Sequence, residues 1–183
     1  MGKRLTLILG GARSGKSDFA QTLASTRGGE DVLFVATAQA HDGEMAERIE
    51  KHRLGRPANW RTLETPVELA GMLQTAPATR VVVIDCLTLW VSNVILKEDD
   101  TRGAMERELD DLLAWYHISE CELIVVSNEV GMGLVPDNAL GRAYRDLLGA
   151  MNKLLAAAAD QVFFVIAGLP VEIKALTARV EEL

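Results

Sequence analysis

The sequence lacks the features that mark a nucleic-acid-binding or membrane-spanning protein. Acidic residues outnumber basic ones, 26 to 19, for a formal net charge of −7. The chain therefore has no excess of cations for the phosphate backbone of DNA or RNA. No apolar run approaches the roughly 20 residues that a helix needs to cross a bilayer, and the apolar stretch 5–9 is too short for a signal-peptide core. These absences predict a cytoplasmic protein with no nucleic-acid partner and no membrane span.

Cysteine is also scarce, with only Cys86 and Cys121 among the 183 residues. Neither belongs to a Cys-x-x-Cys pair or to a Cys/His spacing that would hold zinc. Each stands at the edge of a strongly apolar segment, where unpaired cysteine is commonly buried. The sequence therefore predicts two reduced, partly buried thiols.

What the sequence does contain is an alternation of β-rich and helical segments. Unbroken apolar runs predict strands buried on both faces, as in a parallel sheet; they are residues 4–10, 31–36, 80–85, 122–127 and 161–167. Helical patterns occupy residues 16–25, 42–54, 104–116 and 140–159, and a capping-box pattern at Thr65-Pro66-Val67-Glu68 predicts one more helix start. The alternation predicts an α/β fold in one domain, 1–183, with a mostly parallel twisted sheet and helices on both faces.

The clearest motif follows the first predicted strand. The run Gly10-Gly11-Ala12-Arg13-Ser14-Gly15-Lys16-Ser17 matches the phosphate-binding pattern G-x-x-x-x-G-K-[ST] at every fixed position. The glycines let the backbone turn tightly and aim its N–H groups inward, and the following helix N-terminus adds to the anion site. Lys16 would then act as a catalytic cation at the β- and γ-phosphates, and the Ser17 hydroxyl would bind Mg²⁺. The motif predicts a P-loop enzyme that acts on a nucleoside triphosphate.

A carboxylate for the magnesium ion is predicted at the end of another buried strand. The apolar run before Asp85 would bury its carboxylate, which is costly unless it meets a cation or hydrogen-bond donors. We therefore predict that Asp85 belongs to the Mg²⁺ shell. The alternative is that Asp85 has only a structural role and caps the helix that follows it. Glu129, which follows the fourth apolar run, is a second carboxylate candidate.

His52 is the histidine with the most informative setting. It shares one predicted helical face with Met45 and Ile49, and a histidine in that pattern often only packs against apolar neighbours. A neutral imidazole is also a good nucleophile toward phosphorus, and Arg53 and Arg56 follow closely enough to offset charge on phosphate oxygens. Spacing alone leaves both interpretations open.

Four stretches carry a more specific pattern. They are GGARSGKS at 10–17, ATAQAHDGEMAERIEKHRLGRPANWRTLE at 36–64, DCLTLWVSN at 85–93 and SNEVGMGLVPDNALGRAYRDLLGAMNKLLAAAAD at 127–160. With H-R-x-G-R-P-x-x-W and S-N-E-V-G-x-G-x-V-P as its most specific parts, the chain resembles the bifunctional adenosylcobinamide kinase / adenosylcobinamide-phosphate guanylyltransferase family of cobalamin biosynthesis. The resemblance spans residues 5–174 and implies a RecA-like P-loop NTPase fold.

This resemblance implies two reactions. The hydroxyl of adenosylcobinamide takes the γ-phosphoryl group of ATP or GTP, and GTP then donates GMP to the new phosphate, giving adenosyl-GDP-cobinamide and pyrophosphate. The second step proceeds in the family through a covalent guanylyl-histidine, which implies that His52 is the nucleophile. The resemblance also implies a homotrimer with the corrinoid between subunits. Besides the P-loop, it assigns to the GTP site Thr37, Ala38, Gln39, Arg53, Leu54, Gly55, Arg56, Glu64 and Asp85.

Two other functions fit the P-loop motif. One is a small-molecule kinase without guanylyltransferase activity, which would need no histidine nucleophile; the long match across residues 36–64 argues against it. The other is a nucleotide-dependent switch or assembly subunit, for which the sequence offers no extra domain. The family resemblance implies that the loop 128–133 belongs either to the cleft or to a subunit contact. We expect Trp60, Trp90 and Trp115 in the core or an interface.

Overall fold

Strands and helices alternate along the part of the chain that the computed structural model describes, residues 2–40, 43–97 and 100–176. In chain order the elements are β1 (Leu5–Gly10), α1 (Lys16–Gly28), β2 (Val32–Ala36), α2 (Gly43–Leu54), β3 (Arg61–Glu64), α3 (Leu69–Thr75), β4 (Val81–Asp85), α4 (Leu87–Ile95), α5 (Thr101–Ile118), β5 (Glu122–Asn128), α6 (Ala139–Ala158), β6 (Gln161–Ile166), β7 (Leu169–Glu172) and a final 3-10 turn (Lys174–Leu176). The strands form one seven-stranded sheet in the order β3-β2-β4-β5-β1-β6-β7. All neighbours are parallel except β6 and β7, so the predicted mostly parallel α/β sheet is confirmed.

The central strands feed two apolar cores, one on each face of the sheet. Successive side chains of a strand point to opposite faces, so Val82 belongs to the core that α3 to α6 cover. Its neighbour Val83 belongs to the opposite core, to which α1 contributes Ala20 and Ala24. Burial on both faces explains why these strands are unbroken apolar runs in the sequence.

The two edge strands, β3 and β7, were not predicted from the sequence. β3 and β7 have four residues each, and most of their side chains are exposed, so neither carries an unbroken apolar run. β7 is brought beside β6 by a tight turn at Ala167 (φ 51°) and Gly168 (φ 82°). Two consecutive left-handed residues are the geometry of a two-residue hairpin turn. Pairing with a neighbouring strand, rather than local sequence, defines both elements.

The helix start predicted at Thr65 is wrong, because α3 begins at Leu69. The Thr65 hydroxyl donates to the carbonyl oxygen of Val67 at 2.6 Å and so closes a local turn. Glu68 then adopts a left-handed conformation, with φ 56°, which interrupts a helical path from Pro66. No pattern in the sequence predicts α4 either, because six of its nine residues are buried and it shows no polar face.

Other expectations about single residues can be compared with the structure. Cys121 is buried and Cys86 is half-buried, and both are free thiols as predicted. Trp60 and Trp90 are buried and Trp115 packs against the core, which confirms their structural role. Asp42, predicted as the start of the second helix, lies outside the described residues. In the described ranges no helix combines the length and apolar character needed to cross a membrane.

Candidate active site

The phosphate loop connects β1 to α1 at the carboxyl edge of the sheet. Gly15 adopts φ 90°, and a Cβ there would come 3.2 Å from the Cα of Gly168, so both conformation and space call for glycine. The amide of Glu129 donates to the carbonyl oxygen of Gly10 at 3.2 Å, and the amide of Gly168 donates to that of Ser14 at 2.8 Å. The loop is therefore anchored to β5 on one flank and to the β6–β7 hairpin on the other.

Two adjoining cavities open at this edge, and Lys16, Ser17 and His52 line both of them. The larger cavity, about 970 Å³, lies over the phosphate loop and is also lined by Ala12, Arg13, Ser14, Gly15, Asp18, Gln21, Glu47, Lys51 and Gly55. The smaller one, about 160 Å³, lies against α2 and the strand ends and is also lined by Phe34, Ala36, Ala38, Met45, Ile49, Arg56, Asp85, Cys86, Thr88, Leu89 and Asn128. The larger volume lies in the range of ligand pockets.

Asp85 ends β4 and meets the first turn of α1. Burial raises the pKa of Asp85, while a hydrogen bond with the Ser17 side chain and the nearby charges of His52, Lys16 and Arg56 act in the opposite direction. A carboxylate and a hydroxyl thus lie side by side at the phosphate loop. The N-cap residue of α4 is Cys86, so Asp85 does not occupy the capping position, and its partner Ser17 belongs to α1.

The oxygen atoms of Ser17 and Asp85 suit magnesium, which takes hard oxygen ligands and usually relies on substrate phosphates for several of them. Within the described ranges, no cluster of three or more histidine, cysteine or acidic side chains could hold a metal ion. The residues present therefore fit a magnesium ion that arrives with a nucleotide, and they do not form a self-sufficient metal cage.

Helix α2 brings His52 to the phosphate loop. None of the described side chains of α2 is buried, and Met45, Ile49 and His52 are its half-buried face. All three line the small cavity, which confirms the shared face predicted from their spacing. The imidazole also borders the large cavity. His52 is therefore exposed to the phosphate site rather than enclosed in a core.

Arg56 places a cation in the lining of the small cavity. Its guanidinium lies 3.7 Å from the centre of the Phe34 ring, and its Nε has no hydrogen-bond partner among the described residues. Burial lowers the pKa of Arg56, whereas the carboxylates of Asp85 and Glu64 raise it. A half-buried guanidinium with an unused donor is suited to an anionic or carbonyl group of a ligand.

Several residues that the sequence assigned to the nucleotide lie outside the linings of these two cavities. The Thr37 hydroxyl accepts from the amide of Cys86 at 2.9 Å and donates to its carbonyl oxygen at 2.8 Å, which joins the ends of β2 and β4. Arg53 is exposed and pairs with Glu50 at 3.6 Å. The others outside the linings are Gly10, Gly11, Gln39, Leu54 and Glu64.

The site also contains residues to which no individual role was assigned from the sequence. Cys86, Thr88 and Asn128 line the small cavity. Burial raises the pKa of Cys86 to about 11, so its thiol is neutral near pH 7. Asn128 ends the strand between β1 and β4, and that position at the carboxyl end of a buried strand was the available sequence signal.

Glu129, the second carboxylate candidate, accepts from the amide of Gly131 at 2.8 Å and closes a local turn.

Comparison with known proteins identifies the family of this chain. A family model described as "Cobinamide kinase / cobinamide phosphate guanyltransferase" matches residues 6–173. The chain belongs to this family. The resemblance read from the sequence is thereby confirmed, and with it a kinase and guanylyltransferase built on a P-loop.

Three relatives of this cobinamide kinase / guanyltransferase family member match over most of their length. The bifunctional adenosylcobalamin biosynthesis protein CobP of Pseudomonas aeruginosa is 48% identical, with 92% of this chain and 96% of the relative covered. The proteins named CobU from Salmonella typhimurium and Escherichia coli are 41% and 39% identical, each with 93% of this chain and 99% of the relative covered. Among solved structures, an ATPase domain matches with 15% identity and a TM-score of 0.46 over 88% of this chain and 69% of that one.

Proposed function

We propose that this chain catalyses two consecutive reactions of adenosylcobalamin biosynthesis in one domain, residues 1–183. In the first, the hydroxyl oxygen of adenosylcobinamide attacks the γ-phosphorus of ATP or GTP. The bond from that phosphorus to the bridging oxygen breaks, the nucleoside diphosphate leaves, and the hydroxyl proton passes to solvent. Family membership and the names of the relatives support this reaction.

The second reaction transfers GMP from GTP by way of His52. A ring nitrogen attacks the α-phosphorus, the bond from it to the bridging oxygen breaks, and pyrophosphate leaves. A phosphate oxygen of adenosylcobinamide phosphate then attacks the same phosphorus, and the phosphorus–nitrogen bond breaks to regenerate the imidazole. The single observation that supports this role is that His52 and Lys16 line the same two cavities.

The phosphate loop would serve both reactions. Lys16 and the loop amides, Gly10 to Ser17, would hold the β- and γ-phosphates and stabilise the leaving group. Ser17 and Asp85 would hold Mg²⁺, which when bound offsets negative charge on the phosphates. We assign the nucleoside to Thr37, Ala38, Gln39, Arg53, Leu54, Gly55, Arg56 and Glu64. The charge interaction between Glu64 and Arg56 supports a place for Glu64 near the small cavity, where its carboxylate would accept from guanine N–H groups.

Helix α2 would move when the nucleotide binds. Attack on the α-phosphorus requires the imidazole to come in line with the bond that breaks, and a small shift of α2 would achieve this. The absence of buried side chains among the described residues of α2 supports the shift, because few apolar contacts would have to be broken.

We also propose a cytoplasmic homotrimer with the corrinoid bound between subunits. The loop after β5 exposes three apolar side chains, with Met132 80%, Leu134 96% and Val135 67% accessible. Apolar surface of this kind often marks an interaction site, and the free thiols of Cys86 and Cys121 suit a reducing compartment. Analytical ultracentrifugation would test the assembly, and a monomer at micromolar concentration would contradict it.

The guanylyl-histidine is tested by incubating the protein with Mg²⁺ and GTP labelled at the α-phosphate. We expect acid-labile label on the wild type and on His117→Asn, whose ring is exposed at the end of α5. We expect none on His52→Asn, which should still phosphorylate adenosylcobinamide. An unlabelled wild type that makes no GDP-linked product, yet transfers the γ-phosphoryl group, would instead support a small-molecule kinase without guanylyltransferase activity.

A further inference from the structure

The side chain of Asn128 has an unsatisfied oxygen at the proposed reaction site. Its Oδ1 is buried and has no hydrogen-bond partner among the described residues, although the side chain lines the small cavity with Lys16, Ser17 and Asp85. A buried carbonyl oxygen without a donor loses the hydrogen bond that it makes with water in the unfolded chain. Such an atom at a reaction site calls for a ligand that donates to it.

Hydrogen bonds hold both backbone polar groups of Asn128, so the position from which its carboxamide extends is well defined. Its amide donates to the Thr88 hydroxyl at 3.0 Å, and its carbonyl oxygen accepts from the Asn152 side chain at 2.9 Å. Asn152 is held in turn by the Ser127 hydroxyl, which donates to it at 2.7 Å. Both backbone groups of Asn128 are therefore engaged, and its side chain lines the small cavity.

Strand order places this carboxamide between the two parts of the phosphate site. β5 lies between β1 and β4, with Asn128 paired to Gly10 at the start of the phosphate loop and Val126 paired to Asp85. A group that enters the small cavity therefore comes close to the Asn128 side chain, which lies beside the phosphate loop. The cavity walls also include the apolar side chains of Phe34 and Met45. Such walls suit the carbon atoms of an alcohol better than the water molecules around a hydrated ion.

The missing partner must be a hydrogen-bond donor. The phosphates of a bound nucleotide are ionised and only accept hydrogen bonds, so they cannot satisfy a carbonyl oxygen. The acceptor alcohol of the first reaction can, because it carries an O–H. We propose that Asn128 Oδ1 accepts a hydrogen bond from the hydroxyl of the phosphoryl acceptor and orients its oxygen toward the γ-phosphorus; this inference rests on the proposed function. The amide oxygen does not take up the hydroxyl proton. That proton leaves for solvent as the new bond to phosphorus forms.

The two half-reactions of the protein make the test specific. Asn128→Leu keeps the approximate shape of the side chain but has no acceptor, and Asn128→Ser serves as a second variant should the first fold poorly. Phosphoryl transfer from ATP to adenosylcobinamide is measured beside labelling of the protein by α-labelled GTP, which uses the same loop and no alcohol. Gln74→Leu, an exposed amide on α3, is the control.

We expect kcat/KM for adenosylcobinamide to fall roughly 10- to 100-fold in the Asn128 variants, the scale of a lost positioning contact. Protein labelling should stay within about twofold of the wild type and of Gln74→Leu. Equal losses in both assays would overturn the inference, because Oδ1 would then serve the nucleotide or its metal ion. An unchanged kinase rate would overturn it as well. Failure of the wild type in either assay would instead contradict the proposed function.

Discussion

The phosphate loop and helix α2 face the same cavities but are held in opposite ways. The loop is attached by backbone hydrogen bonds on both flanks, from Glu129 to Gly10 and from Gly168 to Ser14. Helix α2 exposes most of its described surface and rests on the half-buried side chains of its inner face. A backbone tied into a sheet keeps its geometry, whereas a helix with few buried contacts opens at low free-energy cost.

This difference matches the needs of the proposed chemistry. Both reactions require the triphosphate to stay in one place, and a rigid loop provides that. Only guanylyl transfer requires a nucleophile that approaches the α-phosphorus, carries GMP and then releases it. The two regions should therefore respond differently to mutation. Changes in the loop should affect both reactions, and changes in α2 should affect mainly guanylyl transfer.

The largest expected effect comes from removing the loop's cation. Lys16→Ala should lower both phosphoryl transfer and protein guanylylation by at least about 10³-fold, because each reaction loses charge stabilisation at its phosphates. His52→Asn, on helix α2, should abolish guanylylation and leave phosphoryl transfer within a few-fold. Single-turnover assays with γ- and α-labelled GTP separate the two. Guanylylation that survives Lys16→Ala would contradict the proposal that the phosphate loop serves both reactions.

A smaller effect is expected from the backbone of the loop. Gly15→Ala introduces a Cβ at φ 90° and 3.2 Å from Gly168, a strain of about 1–3 kcal/mol. Nucleotide affinity should therefore fall by roughly 10- to 100-fold. Gly43→Ala, at the first residue of α2, meets no atom within 4 Å and should bind nucleotide as the wild type does. Isothermal titration with a non-hydrolysable GTP analogue measures both, and equal affinities would show that the loop is less constrained than we infer.

Removing the apolar contacts of α2 should slow guanylylation clearly and lower the stability of the fold only a little. The double change Met45→Ala and Ile49→Ala removes most of the helix's apolar contact, and we expect guanylylation to fall about 10-fold. Because both side chains are only half-buried, the free energy of unfolding should fall by about 1–2 kcal/mol. Leu109→Ala, buried in α5, should instead cost about 2–5 kcal/mol. Chemical denaturation compares them, and a double variant as unstable as Leu109→Ala would contradict the contrast.

The smallest expected effect concerns Asp85 in the ligand-free protein. Burial raises its pKa, so the folded state binds the proton more tightly than the unfolded state does. Ionisation of Asp85 therefore lowers stability as the pH rises above the ordinary aspartate range, near 4. Asp85→Asn should raise the Tm slightly at pH 7 to 8, and the gain should shrink as the pH approaches 4. Thermal unfolding across that range tests the sign, and a lower Tm at neutral pH would show that the carboxylate is stabilised by its neighbours.

Local sequence determined much of this protein. The phosphate loop was predictable because its function depends on consecutive glycine, lysine and serine residues. The strands β1, β2, β4 and β5 were predictable because strands buried on both faces must be apolar throughout, and β6 was predictable from the apolar run of its sequence although it is less buried. The inner face of α2 was predictable from helical spacing alone, and the longer matching stretches identified the family.

Only the tertiary structure decided the rest. β3 and β7 exist because neighbouring strands pair with them, and α4 is hidden in the sequence because burial on nearly all sides removes its periodicity. Thr37, assigned to the nucleotide, has its hydroxyl engaged by the Cys86 backbone, a contact between strands that no local pattern reveals. Asn128 and Asp85 meet the phosphate loop because β5 lies between β4 and β1. Strand order depends on contacts between distant segments, and short-range propensities carry no record of it.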